Sequence, residues 1–228
     1  GEIRAGRVDL GEDLLGQSAS LSVTGALSLA DGALQTRLET ARLDKPGDRL
    51  SLVAGYSDQT RQIDLDLSLT EAAGGLLSTV LALPGRPTLG LTAKGSGPVT
   101  DFKADIALSS NGQERLSGQV VLAARQDAES EQDAGPSGIA FSADLGGDID
   151  PLLLPDYRPF FGPGLRLVTR GQTVAEGGVA LDTLALSTRA LRVTGALATG
   201  ATGNLDTANL KVQIQPPSGE AAVVLPVP

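Results

Sequence analysis

Strict alternation of aliphatic and polar residues runs through most of the chain. In Ile63-Asp64-Leu65-Asp66-Leu67-Ser68-Leu69 every second residue is aliphatic. Successive side chains of an extended backbone point to opposite faces, so one face of such a strand is oily and the other wet. From Gly74 to Leu83 the period changes. Leu76, Leu77, Val80, Leu81 and Leu83 suit a short amphipathic helix, which Pro84-Gly85 ends. Alternation returns at Leu89, Leu91 and Ala93, turns at Gly95-Ser96-Gly97-Pro98, and resumes at Phe102, Ala104, Ile106 and Leu108, which predicts a hairpin. Asn111-Gly112 predicts a type I′ turn, whose central residues both need positive φ, and Leu116, Val120 and Leu122 carry the oily face onward.

The same grammar covers the rest. Ile3–Asp9 reads as a first strand and Gly11–Gly16 as a helical turn. Ala19, Leu21, Val23, Leu27 and Leu29 share one parity up to a turn at Asp31-Gly32. In the return strand, Leu34 and Leu38 differ in parity from Ala41 and Leu43, which predicts a bulge near Glu39-Thr40. Leu50, Leu52, Ala54 and Tyr56 follow, and later Ile139, Phe141, Ala143 and Leu145. Further strands are expected at Leu165–Arg170, Val174–Leu186, Leu191–Leu197 and Leu210–Ile214. Two Leu-rich interruptions, around Leu76–Leu83 and Pro151–Leu154, read as caps on a sheet end in preference to lids or plugs at a groove rim. Three segments share a plan of strand end, polar Gly/Asp/Glu link and Leu pair: Val8–Leu15, Leu67–Leu77 and Ala143–Leu153. They divide the chain into repeat-like units of about 1–66, 67–142 and 143–228, within one segment of a longer protein. Residues 126–138 lack periodicity and read as a mobile acidic loop. The fold class expected is all-β: an elongated, curled, mostly antiparallel sheet with an aliphatic concave face and short helical interruptions.

Composition changes this picture in one respect. The chain is 41% hydrophobic, yet aromatics are 3% and Trp, Met, Cys and His are absent. Without Cys or His there is no disulfide framework, no thiolate zinc site and no Ser-His or Cys-His chemistry. No cofactor or metal is expected, and enzymatic activity is the least supported class. The absence of Met predicts a processed or excised segment. A net charge of −9, part of it in Asp127, Glu129, Glu131 and Asp133, opposes binding to nucleic acid or an anionic membrane surface.

About twelve strands make an open sheet that curls or splits. Two outcomes compete: a sealed sandwich, or a trough whose oily lining stays partly open. The scarcity of aromatics and Met, which supply bulk in sealed cores, points to the trough. A slot of flexible aliphatics without orienting polar groups suits acyl chains. The lining would comprise Leu21, Val23, Leu50, Leu52, Ile63, Leu65, Leu67, Leu89, Leu91, Phe102, Ile106, Leu116, Val120, Ile139, Phe141, Leu165, Leu191 and Val193. Other signals read as structure. Asp64 and Asp66 form a solvated outer face beside Arg61 or Lys103, Gly146–Asp150 is a capped turn lacking the oxygens of a calcium loop, and Gly95-Ser96-Gly97 is no phosphate loop.

The run through Leu65–Leu69, Gly74-Gly75-Leu76-Leu77, Leu83-Pro84-Gly85, Leu89-Gly90-Leu91, Gly95–Pro98 and Asp101–Ala104 resembles the TamB family of translocation and assembly proteins, in the wider AsmA-like group of proteobacteria. Leu145-Gly146-Gly147 with Pro155–Gly162 is similar to a later part of such proteins. The resemblance implies a long β-groove crossing the periplasm, anchored in the inner membrane by an N-terminal helix outside this sequence. It implies phospholipid as cargo between the membranes and a TamA-like barrel as a partner reached through other parts of the protein. A β-augmentation scaffold for outer-membrane strands, or a purely structural β-sandwich repeat, are the alternatives.

Overall fold

The computed structural model describes residues 1–124, 138–174, 177–200, 202–216, 219–220 and 222. The expected acidic loop 126–138 therefore lies outside the described residues, save Gly138. Thirteen strands among the described residues carry the fold: β1 (Glu2–Leu10), β2 (Ala19–Ala30), β3 (Ala33–Arg42), β4 (Arg49–Ser57), β5 (Gln62–Glu71), β6 (Leu89–Pro98), β7 (Asp101–Ser110), β8 (Gln113–Ala124), β9 (Ile139–Gly147), β10 (Leu165–Thr173), β11 (Val179–Ser187), β12 (Leu191–Thr199) and β13 (Leu205–Ile214). They hydrogen-bond in sequence order as one open sheet with β1 and β13 at its edges. The protein is all-β, and the pairings from β1 to β6 and from β9 to β13 are antiparallel.

Among the described residues helix enters at three connections. Helix α1 (Glu12–Leu15) follows β1, α2 (Leu76–Val80) follows β5, and two 3-10 turns (Asp150–Leu152 and Pro155–Tyr157) lead into α3 (Arg158–Phe161) after β9. The three segments aligned in the sequence thus fall after the first, fifth and ninth strands. Gly16 at φ 70° and Gly162 at φ 57° end α1 and α3 in a conformation that costs other residues a Cβ clash. No helix among the described residues is long and apolar enough to cross a membrane.

Contacts divide the residues into two compact units. The first comprises Gly1–Pro98, Ala104–Ser117 and Pro151–Leu154; the second comprises Val99–Lys103, Gly118–Asp150 and Pro155–Pro228. In the first unit the aliphatic residues stand in rows across the strands. Leu38, Leu52, Leu67 and Ala93 are directly opposed from β3 to β6, and Leu50, Leu69 and Leu91 form the next row. Each such cross-strand pair contributes about 0.2–1 kcal/mol. In the second unit Leu145, Leu167, Leu186, Val193 and Val212 form an equivalent row from β9 to β13.

Bulges keep these rows on one face. Ala5 and Val8, three residues apart, oppose Val23 and Leu21, two apart; Leu181 and Leu184 likewise oppose Leu197 and Gly195. Each extra residue reverses the parity once, which holds the aliphatics before and after it on the same side. At Gly171 a Cβ would stand 2.5 Å from the Phe141 ring and 2.4 Å from the Ala180 carbonyl oxygen, so the bare backbone lets the ring lie across β10.

Three local expectations need correction. No bulge occurs near Glu39-Thr40: β3 pairs without a shift from Ala33 to Arg42. The inward positions there are Thr40 and Arg42, and Leu43 is exposed. Gly95–Pro98 is not the turn. It remains in β6, paired with Gln62–Leu65, and the chain reverses at Val99-Thr100. Gly97 stays in the strand at φ 152°, a value that favours glycine, and Pro98, which cannot donate to a ladder, ends the strand. Val174–Leu186 is not one strand, because β11 begins at Val179 after Val174 and Gly178 close a turn by a 2.9 Å hydrogen bond. The Asn111-Gly112 turn has both positive φ values that a type I′ turn requires, 50° and 73°.

Candidate functional site

Within each unit, sequence-predicted residues stand in the aliphatic rows wherever strand register pairs them. In the first unit Leu21, Val23, Leu50, Leu52, Ile63, Leu65, Leu67, Leu91, Ile106 and Leu116 are half-buried, and Leu89 is buried. The Ser109 hydroxyl donates to the Gly90 carbonyl at 3.4 Å, which places Ile106 on the side of Leu89 and Leu91. In the second unit Phe102 is buried, while Val120, Ile139, Phe141, Leu165, Leu191 and Val193 are half-buried. Residues of a sealed core would be covered; most of these are not. The sequence-based list omitted the most open members. Leu29 is 77% and Ile3 69% exposed on the face of the first unit, and Leu205 and Val212 on β13 are 61% and 59% exposed. Alternation in β2 and β13 carried that signal.

The opposite face is polar. Asp64 and Asp66 are exposed on it, and Asp66 pairs with Lys94 at 3.2 Å rather than with Arg61 or Lys103, because Lys94 stands directly across from it on β6. Lys103 instead pairs with Asp101 at 3.4 Å. A hollow of about 500 Å³ lies on this side of the first unit, where Gly55 leaves a gap among Ser28, Gln35, Arg37, Val53 and Asp64. It is on the face away from the predicted lining. Asp148 accepts a 3.0 Å hydrogen bond from the Asp150 amide, which makes Gly146–Asp150 a capped turn. Among the described residues no three Cys, His, Asp or Glu side chains converge as metal ligands.

One end of the first unit is closed by a polar network that sequence reasoning did not find. Arg42 is only 7% exposed. Its guanidinium donates to Asp44 at 2.9 Å, to Asp48 at 3.4 Å and to the Ser18 carbonyl at 3.2 Å. Asp48 accepts from the Ala72 amide at 2.7 Å, and Lys45 donates to the Gly74 carbonyl at 2.8 Å, so the β3–β4 loop is tied to the segment entering α2. Glu71, 6% exposed, accepts from the Leu77 and Ser78 amides at 2.7 and 2.8 Å. It caps α2, whose N-cap residue Gly75 has no side chain to do so. The α1 segment joins through Gln17, which donates to the Gly75 carbonyl at 3.0 Å.

Hydrogen bonds from Arg42 and from the Ser20 amide hold the Asp44 carboxyl well below the usual carboxylate range. The Ser20 hydroxyl and then Arg7 lower Asp9 in the same way. A carboxylate with a depressed folded value adds stability that is fully present above its unfolded value near 3.8 and is lost as pH falls through the folded value. Acidification below that point should therefore lower the urea midpoint of the wild type progressively. Asp44→Asn should be weaker at neutral pH and show a flatter acid limb, and equal slopes for the two proteins would refute this role.

No family model, curated protein or solved structure matches this chain.

Proposed function

We propose that the chain is a segment of a TamB-like, periplasm-spanning lipid conduit, in which acyl chains of phospholipid lie along the aliphatic face. The observation behind this reading is the half-buried state of the leucines in rows such as Leu50–Leu69–Leu91 and Leu52–Leu67, the latter ending on the buried Ala93. Aliphatic area left in contact with water yields about 25 cal/mol per Å² when an acyl chain covers it. Such binding selects for hydrocarbon and little for headgroup. Placement between inner and outer membranes, with a barrel partner reached through other parts of the protein, comes from the sequence resemblance and belongs to the same proposal.

Native mass spectrometry of the purified chain tests it. Wild type should carry phospholipid or detergent, and Leu67→Asp combined with Leu91→Asp should reduce the bound fraction at least about tenfold, since each lost Leu contact is worth about 1.5–3 kcal/mol. No associated lipid in wild type, or equal loading of the folded double variant, would defeat the reading.

A second reading, a scaffold adding strands to its edge, draws on β13. Its ten residues are exposed except Gln213. By contrast, β1 carries the ion pairs Arg4–Glu2 and Arg7–Asp9 and a bulge, devices that discourage edge pairing. Capture of an unfolded outer-membrane strand that survives both aspartates and protects β13 amides is the result expected of this alternative.

A further inference from the structure

We infer that the β11–β12 turn of the second unit forms an anion site for a phosphate-bearing ligand, with Glu220 of the same chain as its internal competitor. A hollow of about 350 Å³ is lined there by Thr188, Arg189, Arg192, Gln213 and Gln215, with Ala190 and Leu191. Every polar side chain among these can donate a hydrogen bond, two carry positive charge, and none is acidic. That is the complement of a tetrahedral anion with several acceptor oxygens.

The turn is held in place from three sides. The Arg189 and Ala190 amides donate to the Phe161 and Phe160 carbonyls at 2.9 and 3.1 Å, at the end of α3. The Gln215 amide donates to the Ala190 carbonyl at 2.9 Å, and the Leu191 amide to the Thr188 hydroxyl at 3.1 Å. Gly162 makes room for the Arg189 stem, since a Cβ there would stand 2.6 Å from the Arg189 Cβ. The Arg189 guanidinium already binds a carboxylate, that of Glu220, at a position where both side chains are partly exposed. Arg192 stands across from Gln213 and makes no ion pair among the described residues. A carboxylate satisfies one arginine; a phosphate has oxygens for both. The site lies at the strand ends with Arg192 on the polar face, so it does not depend on acyl chains occupying the aliphatic rows.

Titration calorimetry of the full chain with inorganic phosphate, and co-sedimentation with phosphatidylcholine vesicles with and without phosphatidic acid, test the site and separate free phosphate from a lipid headgroup. Arg192→Gln, on the exposed face, should weaken phosphate binding at least about tenfold, and Glu220→Gln should tighten it severalfold by removing the competitor. Arg189→Gln should behave like Arg192→Gln, with circular dichroism confirming that each variant is folded. Binding to phosphatidic acid vesicles alone, lost in Arg192→Gln, assigns the ligand to a lipid. Absence of binding to either probe, or binding indifferent to Arg192 and Glu220, overturns the inference.

Discussion

Arg42→Ala is expected to destabilise the chain by about 3–5 kcal/mol, read as a lower urea midpoint. This is the loss typical of removing one partner from a buried ion pair. The side chain of Arg42 is 4% exposed and that of Asp48 is 11% exposed, so the deletion strands a carboxylate with little access to water. It also frees Asp44 and the Ser18 carbonyl from the donors they share. Arg42→Lys should recover part of the loss, because it restores the charge without the planar fork that reaches Asp44, Asp48 and Ser18 together. If Arg42→Ala melts within about 0.5 kcal/mol of wild type, the range of ordinary surface substitutions, the network is ornamental.

Glu71→Ala should cost about 2–3 kcal/mol, because two amides at the start of α2 lose a charged acceptor and the Ser78 amide is buried. Hydrogen exchange checks this directly: the Leu77 and Ser78 amides should exchange far faster, while amides in the middle of β5 keep their protection. Glu71→Gln should fall between, retaining one neutral acceptor oxygen. Unchanged exchange at Leu77 and Ser78 in Glu71→Ala would show that α2 is held by its apolar residues instead. The same geometry explains Gly75. The Glu71 side chain folds back over it, and a Cβ at that position would stand 1.9 Å from the Glu71 Cγ.

These two residues also show where sequence reading stops. Arg42 and Glu71 each end a strand, with nothing around them to mark them as buried rather than solvated. Their partners Asp44, Asp48 and the Leu77 amide lie close in sequence, but only the β3–β4–β5 register turns the three segments toward one another. Asp66 illustrates the same limit, since its cation is whichever residue the register sets opposite, and that is Lys94. The glycines misled for a related reason. Gly95 and Gly97 are turn formers in isolation, yet β5 extends to Gln62 and needs partners along its whole length, so the strand continues past them.

Parity was the legible feature, because it depends on backbone geometry alone. Alternating Leu, Ile and Val at every second position dictated strands, and the tight turns at Asp31-Gly32 and Asn111-Gly112 dictated that neighbours pair antiparallel. The chain by itself therefore determined an all-β meander with one aliphatic side and short interruptions between some strands. Tertiary structure decided the rest. The bulges at Gly6-Arg7 and Asp182-Thr183 keep that side continuous, and register assembles the buried Arg42–Asp48 and Glu71 caps. The physical reason is that alternation is written into each strand locally, whereas opposition across strands exists only once hydrogen bonding has set which residue faces which.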